Sequence, residues 1–189
     1  MVSWLARMRA RTAEALARRR VALGFVSGAL VLWLAQPTAL TLAVGAAVAC
    51  LGEALRIWAA GHLNKSREVT ASGPYRWFAH PLYLGSSIMG AGLAIAAGSV
   101  SAAALIAVYV AATLTAAMRS EETFLRQTFG DRYDRYRRAE TGATALENAR
   151  RPFSATQAVA NREHRAAIGL GVAVLLLLLK ATYNGMFWR

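Results

Sequence analysis

The chain has 189 residues, 56% of them hydrophobic, and a formal net charge of +12. The apolar residues form long blocks, which a soluble domain of this length would not need. Basic chains often bind nucleic acid, but here the charges fall between the apolar blocks, as in the cytoplasmic loops of membrane proteins. Cys50, the single cysteine, excludes an intrachain disulfide, and the three histidines lie far apart in the sequence. We therefore expect neither a nucleic-acid partner nor a bound metal.

Residues 1–20 are predicted to form a basic interfacial helix on an anionic membrane surface, since they carry six arginines. The apolar residues that share one face of this helix are Trp4, Leu5, Met8 and Leu16. A signal peptide is the alternative, because a basic segment precedes an apolar one. The later apolar blocks favour a retained anchor, and residues 21–189 are treated as a single membrane domain.

The remaining pattern predicts an all-α integral membrane protein with about five transmembrane helices, each needing roughly 20 mostly apolar residues. The predicted spans are approximately 21–35, 38–60, 81–97, 101–118 and 166–183. A tight turn at Gly98-Ser99 separates the third span from the fourth, so these two form a hairpin. Amphipathic cytoplasmic helices are expected between the fourth and fifth spans.

Charge in the connecting segments predicts the topology. Six arginines precede the first span, and ten arginines lie between Arg119 and Arg165. The turns Gln36-Pro37 and Gly98-Ser99 carry no charge. Basic segments stay inside, so we expect a cytoplasmic N-terminus and an outside C-terminus, in the inner (plasma) membrane if the source is bacterial.

This topology has a geometric consequence for the hairpin. Spans of 16–18 residues are roughly 25 Å long at 1.5 Å per residue, so the start of the third span and the end of the fourth return to one surface. His80-Pro81 and Glu121-Glu122 are therefore predicted to be neighbours at the cytoplasmic face.

The third span begins within GPYRWFAHPLYLG, from Gly73 to Gly85. Pro81 fits the first turn of a helix and pushes His80 out of helical geometry. The first N–H groups of such a helix lack intrahelical partners and suit an anion. The alternative is an ordinary helix start with aromatic residues at the membrane interface, namely Tyr75, Trp77 and Tyr83.

Two acidic features could add chemistry to this surface. Glu121 and Glu122 diverge by about 100° on a helix, so they are expected to contact different partners. A solvated helix end is the alternative. Glu53 and Arg56 lie at i and i+3 within an apolar block, where ionisable residues mark either a functional site or a structural ion pair. Trp58 and His62 follow them toward the same side.

Two further patterns are interpreted structurally. The third span carries Gly85, Gly90 and Gly92, which we expect to permit close helix packing. The amphipathic segment 120–139 contains Gly130 as a predicted helix C-cap, and would either cover a pocket or anchor at the interface.

Together these residues resemble the isoprenylcysteine carboxyl methyltransferase family and, more broadly, the membrane methyltransferases that include phospholipid methyltransferases. The resemblance covers roughly residues 50–140. Its motifs are GEALRIWAAGHL, GPYRWFAHPLY and EETFLRQTFGDRYDRY.

The resemblance implies methyl transfer from S-adenosylmethionine to a hydrophobic acceptor, an isoprenylcysteine-like carboxylate or a lipid, that enters from the bilayer. The cofactor-binding residues that it implies are Tyr75, His80, Pro81, Leu82, Tyr83, Glu121 and Glu122, with Val69 and Thr70 just upstream. The candidate substrate-binding residues are Glu53, Arg56, Trp58, His62 and Arg119. No residue is nominated as a catalytic base, since methyl transfer from a sulfonium depends mainly on alignment of the reactants and exclusion of water.

Two positions differ from the family pattern. Ala79 stands where an arginine usually precedes His-Pro, and Ala117 stands where the eukaryotic enzymes carry an arginine assigned to the substrate carboxylate. The alternatives are therefore an NADPH-dependent reductase of the sterol-reductase type and a non-catalytic protein on the same scaffold.

Overall fold

The computed structural model describes residues 22–64, 70–130 and 151–185. The regular elements in these ranges are all helical, which confirms the predicted fold class. They are α1 (Ala22–Leu34), α2 (Ala39–His62), a 3-10 turn (Gly73–Arg76), α3 (Pro81–Ala96), α4 (Val100–Phe129), α5 (Ala155–Ala160) and α6 (Glu163–Tyr183). The predicted interfacial helix at residues 1–20 lies outside the described residues.

Five of these helices, α1, α2, α3, α4 and α6, occupy the positions of the five predicted spans. Among the described residues, α2, α4 and α6 are long and apolar enough to cross a membrane, whereas α1 and α3 are apolar but shorter. The chain is thus an integral membrane protein with three helices of full spanning length in the described part.

Local sequence explains where the helices begin. The Thr38 side chain accepts a hydrogen bond from the Thr41 N–H, and the Thr41 side chain in turn bonds the Thr38 backbone, which makes a capping box for α2. Pro81 is the first residue of α3, and His80 precedes it with φ −135°. This start of α3 is as predicted.

The fourth helix extends beyond the predicted span, and it ends at Gly130, the predicted helix C-cap. α4 does not end near Met118 but continues to Phe129, where Gly130 terminates it with φ 49°. No proline or glycine interrupts the 30 residues of α4, so helix formers carry the helix on after the apolar residues end. At 1.5 Å per residue α4 is about 45 Å long, so its last turns extend past a hydrocarbon layer of about 30 Å.

Helices α2 and α3 pack through their glycines. A Cβ atom at Gly45 would collide with the backbone of Gly92 and Ala96, and one at Gly92 would collide with the backbone of Ala49. Gly85 likewise faces the backbone of α2 and the Arg56 side chain. These contacts confirm the structural interpretation of the glycines in the third span, and they bring the two helix backbones close together.

The two uncharged turns lie side by side at one end of the bundle. The Gln36 N–H donates to the Ala97 carbonyl at 2.7 Å, and Gly98 reverses the chain with φ 61°. Lys180 of α6 reaches the same end and donates to the carbonyls of Leu32 and Trp33 in the last turn of α1. A small core of mostly alanine residues fills this end. The ends of α2 and α4 and the start of α3 consequently lie at the opposite end.

Candidate functional site

The predicted meeting of the third span with the acidic pair is confirmed in the structure. The His80 Nε2 and Glu122 Oε1 atoms are 3.2 Å apart, although the two residues are 42 positions apart in the sequence. His80 ends the segment before α3, and Glu122 lies on the C-terminal half of α4. The hairpin therefore brings these two side chains into contact, as its length requires.

Glu121 has a different partner from Glu122. Its carboxylate lies close to the Tyr83 side chain on α3. The rings of His80 and Tyr83 have centroids 5.6 Å apart. The adjacent carboxylates thus diverge as predicted, and each contacts one polar residue of the α3 start.

One expectation for these carboxylates was wrong. The sequence placed them at a helix end, but they lie about two turns before the end of α4 at Phe129. A helical backbone fixes them more firmly than a frayed terminus would, which favours a defined geometry at this site.

The first turn of α3 offers fewer open N–H groups than the sequence predicted. The N–H groups of Tyr83 and Leu84 both donate to the His80 carbonyl at 3.1 Å, and Pro81 has no N–H. The polar groups that remain to recognise a ligand here are mainly side chains, in particular those of His80, Tyr83 and the two glutamates.

The segment before α3 packs against the end of α2. Pro74 and Tyr75 are buried in the 3-10 turn, and Gly73 adopts φ 55° with no room for a side chain beside the His62 ring. Thr70 is buried and its hydroxyl accepts a hydrogen bond from the Asn64 N–H at 3.3 Å. Tyr75 and Thr70 are therefore held in place, whereas Val69 lies outside the described residues.

Most of the candidate substrate residues have structural partners. His62 is buried, its Nδ1 atom is 3.1 Å from the Ser72 hydroxyl, and its ring contacts Trp58 and Phe153. Trp58 also packs on Trp77, at a centroid distance of 5.9 Å. These aromatic contacts join the end of α2 to the segment before α3.

Arg119 is exposed on α4, and Ala79 and Ala117 leave no guanidinium at the two positions where the family pattern has one. Arg76, which is near Ala79 in the sequence, lies over the Trp77 ring at 6.0 Å. Neither of these two positions therefore supplies a guanidinium for an acceptor carboxylate.

Glu53 and Arg56 belong to a buried ionic cluster that sequence reasoning saw only in part. Arg56 Nε is 3.3 Å from Glu53 Oε2, and Arg56 Nη2 is 2.6 Å from Glu163 Oε1. Arg56 Nη1 also donates to the Ser86 hydroxyl, which donates to the Leu82 carbonyl at 2.9 Å. Arg56 is thus engaged by three helices, α2, α3 and α6.

Sequence reasoning missed Glu163 and three neighbours that bond the end of α2. The Asn161 side chain donates to the carbonyls of Ala60 and Leu63, both at 2.8 Å, and the Gln157 side chain donates to Leu63 at 2.9 Å. The Ser154 N–H donates to Gly61 at 3.1 Å. The only sequence signal for these residues was a cluster of amide and hydroxyl side chains just before the last apolar stretch.

Within the described residues, no group of three or more His, Cys, Asp or Glu side chains is placed to hold a metal ion. The side chains that meet at the start of α3 are a histidine, a tyrosine and two carboxylates. The two carboxylates can accept hydrogen bonds from ammonium and hydroxyl groups of a ligand. The imidazole can donate a hydrogen bond to a ligand carboxylate.

Comparison with known proteins agrees with this geometry. Residues 40–132 match the family described as phospholipid methyltransferase, and this range includes nearly all of α2, the whole of α3 and both glutamates of α4. The chain is also 33% identical over 97 residues to a nickel-cobalt-cadmium resistance protein, NccN, of Alcaligenes xylosoxydans xylosoxydans. That similarity covers 50% of this chain and 44% of the relative, so the chain spans less than half of the relative's length. No solved structure matches the chain. Residues 40–132, which contain the whole candidate site, are thus similar to the phospholipid methyltransferase family of membrane proteins.

Proposed function

We propose that this protein is a membrane methyltransferase that uses S-adenosylmethionine and methylates a hydrophobic acceptor, either a lipid or an isoprenylcysteine-like carboxylate. The observation that carries the proposal is the contact of His80 with Glu122 beside that of Tyr83 with Glu121. These contacts lie inside the region that matches a methyltransferase family.

The residues at the start of α3 fit the chemical groups of this cofactor. The carboxylates of Glu121 and Glu122 match the ribose hydroxyls and the amino group of the methionine moiety, and His80 matches its carboxylate. Pro81, Leu82 and Tyr75 would form the apolar and aromatic wall against the adenine, with Thr70 and Val69 as more distant contacts. S-adenosylmethionine supplies an electrophilic methyl group when bound.

The protein's part in the reaction is then alignment and exclusion of water. His80 and Tyr83 stand on the first turn of α3, and their glutamate partners are fixed on α4, so the polar groups are preorganised on two packed helices. An acceptor anchored in the bilayer would reach this end of the hairpin from the lipid side. This arrangement explains why such chemistry would be located in a membrane protein.

The proposal includes an orientation in the membrane. The site would face the cytoplasm, with the N-terminus inside and the C-terminus outside, in the inner membrane if the source is bacterial. The distribution of arginine over the connecting segments supports this orientation.

Calorimetric titration of S-adenosylmethionine into the purified full chain in detergent tests cofactor use. We expect His80→Gln and Glu121→Gln each to weaken binding by about tenfold, the effect of losing a charged hydrogen bond of about 1.4 kcal/mol. Lys180→Ala changes the opposite end of the bundle and should leave the affinity unchanged. Absence of binding by a folded wild-type protein would exclude the proposal, and tight binding of NADPH instead would favour the reductase alternative.

The acceptor is tested separately with S-adenosylmethionine that carries a labelled methyl group. One set of vesicles contains an aminophospholipid and the other contains a prenylated cysteine, and both sets have the same protein concentration. Label in the lipid fraction identifies a lipid acceptor, and base-labile label on the prenylcysteine identifies a methyl ester. Cofactor binding without label in either set would support a non-catalytic protein or another acceptor class.

A further inference from the structure

A second group of residues touches the candidate site indirectly. Residues 151–163, which we call the C-terminal clamp, follow the region that matches the family, since that region ends at residue 132. The clamp consists of a short extended segment, α5 and the turn that leads into α6. Its side-chain contacts include several with the end of α2 and one with Arg56.

The first route runs through the end of α2. The last carbonyls of a helix have no intrahelical partner and must be satisfied from outside. Here Asn161 bonds the carbonyls of Ala60 and Leu63, and Ser154 bonds that of Gly61. The clamp therefore provides the C-terminal cap of α2 with side-chain and backbone donors from a distant part of the chain.

The capped end of α2 in turn holds the segment before α3. The buried His62 ring lies between the clamp and Ser72, because it contacts the Phe153 ring and is hydrogen-bonded to the Ser72 hydroxyl. Ser72 is the residue just before the 3-10 turn that contains Tyr75. A shift of the α2 end would consequently displace the turn that is proposed to wall the cofactor pocket.

The second route runs through the ionic cluster. Glu163 follows the clamp's turn and pairs with Arg56 Nη2 at 2.6 Å. Arg56 donates to Ser86, and Ser86 donates to the carbonyl of Leu82 in the first turn of α3. Leu82 lies beside His80 and Tyr83, the polar residues of the site. The clamp thus also stabilises the start of α3, where His80 and Tyr83 lie.

We propose that the C-terminal clamp positions the cofactor site, with Asn161 and Glu163 as positioning residues that do not touch the cofactor. This inference rests on the proposed use of S-adenosylmethionine. Without the clamp, the turn that contains Tyr75 samples conformations that do not bind. The apparent dissociation constant then rises as the inverse of the fraction of molecules with a competent site.

The test compares two residues that each bond two backbone carbonyls at opposite ends of the bundle. Asn161 caps α2 near the site, and Lys180 caps α1 at the far end. Asn161→Asp keeps the side-chain shape but removes the donor, whereas Asn161→Gln keeps a donor amide. Lys180→Ala is the matched control, and Gln157→Ala is a milder second variant that removes one bond to Leu63.

We expect Asn161→Asp to weaken S-adenosylmethionine binding by about tenfold, the size expected for the loss of one or two hydrogen bonds. Gln157→Ala should weaken it by a smaller factor, and Asn161→Gln should restore much of the affinity. Lys180→Ala should lower thermal stability without changing the affinity. Unchanged affinity in both Asn161→Asp and Gln157→Ala would overturn the proposal, as would an equal loss in Lys180→Ala.

Hydrogen–deuterium exchange without cofactor keeps the two proposals distinguishable. Asn161→Asp should raise exchange in residues 70–77, and Lys180→Ala should not. If the wild-type protein bound no S-adenosylmethionine but this difference persisted, the cofactor assignment would fail while the mechanical coupling stood. Unchanged exchange in residues 70–77 would refute the coupling itself.

Discussion

Replacing Arg56 by methionine should be among the most destabilising single changes in this protein. Arg56 is the cation of the buried ionic cluster in the described part of the chain, and it faces two carboxylates, Glu53 and Glu163. These carboxylates are only 5% and 6% exposed. Methionine fills similar space, so the change removes the charge and the hydrogen bond to Ser86 with little loss of volume.

The size of the destabilisation depends on the buried charges that remain after the substitution. Breaking a buried ion pair costs about 3–5 kcal/mol, because the remaining charge is buried without compensation. Arg56→Met leaves two such carboxylates, so we expect a loss of at least about 3 kcal/mol. Glu163→Gln leaves one guanidinium with one carboxylate, Glu53, and should cost much less, about 1 kcal/mol. Arg56→Met combined with Glu53→Gln and Glu163→Gln should recover most of the lost stability.

The free energy of unfolding can be measured by SDS titration in mixed micelles, with fluorescence of the five tryptophans as the signal. Arg165→Ala is the control, since Arg165 is an exposed arginine at the same end of α6 and should change stability by less than about 0.5 kcal/mol. The reasoning would be refuted if Arg56→Met cost no more than Arg165→Ala, or if Glu163→Gln cost as much as Arg56→Met.

Three further predictions concern packing, capping and orientation. Gly92→Leu should destabilise the protein by about 1–3 kcal/mol in the same titration, since its side chain would separate α2 from α3, whereas Gly169→Leu, which meets open space, should be neutral or slightly stabilising. Equal effects of the two would contradict the close packing. Lys180→Ala should lower the unfolding free energy by about 1 kcal/mol, through loss of the bonds to the end of α1. A C-terminal alkaline phosphatase fusion should be active and a C-terminal green fluorescent protein fusion dark, and the reverse pattern would refute the predicted orientation.

The hydropathy and charge patterns were the basis for predicting the fold and the proximity of His80 to the acidic pair Glu121-Glu122. Two spans joined by Gly98-Ser99 must return to the surface from which they started, because their lengths are similar. This constraint alone places His80 near Glu122, as the structure shows. The continuity of α4 from the fourth span to Gly130 was not predicted, because a fall in hydropathy marks the end of a membrane span, not the end of a helix.

What the sequence by itself determined, then, is the all-α membrane fold, the hairpin and the pairing of its two motifs, since apolar length and turn chemistry are local properties. Only the tertiary structure decided the rest. Glu163 pairs with Arg56, 107 residues earlier in the chain, and Asn161 bonds Leu63, 98 residues earlier. Buried charges and open helix ends require partners, but no local pattern specifies which distant residues will provide them.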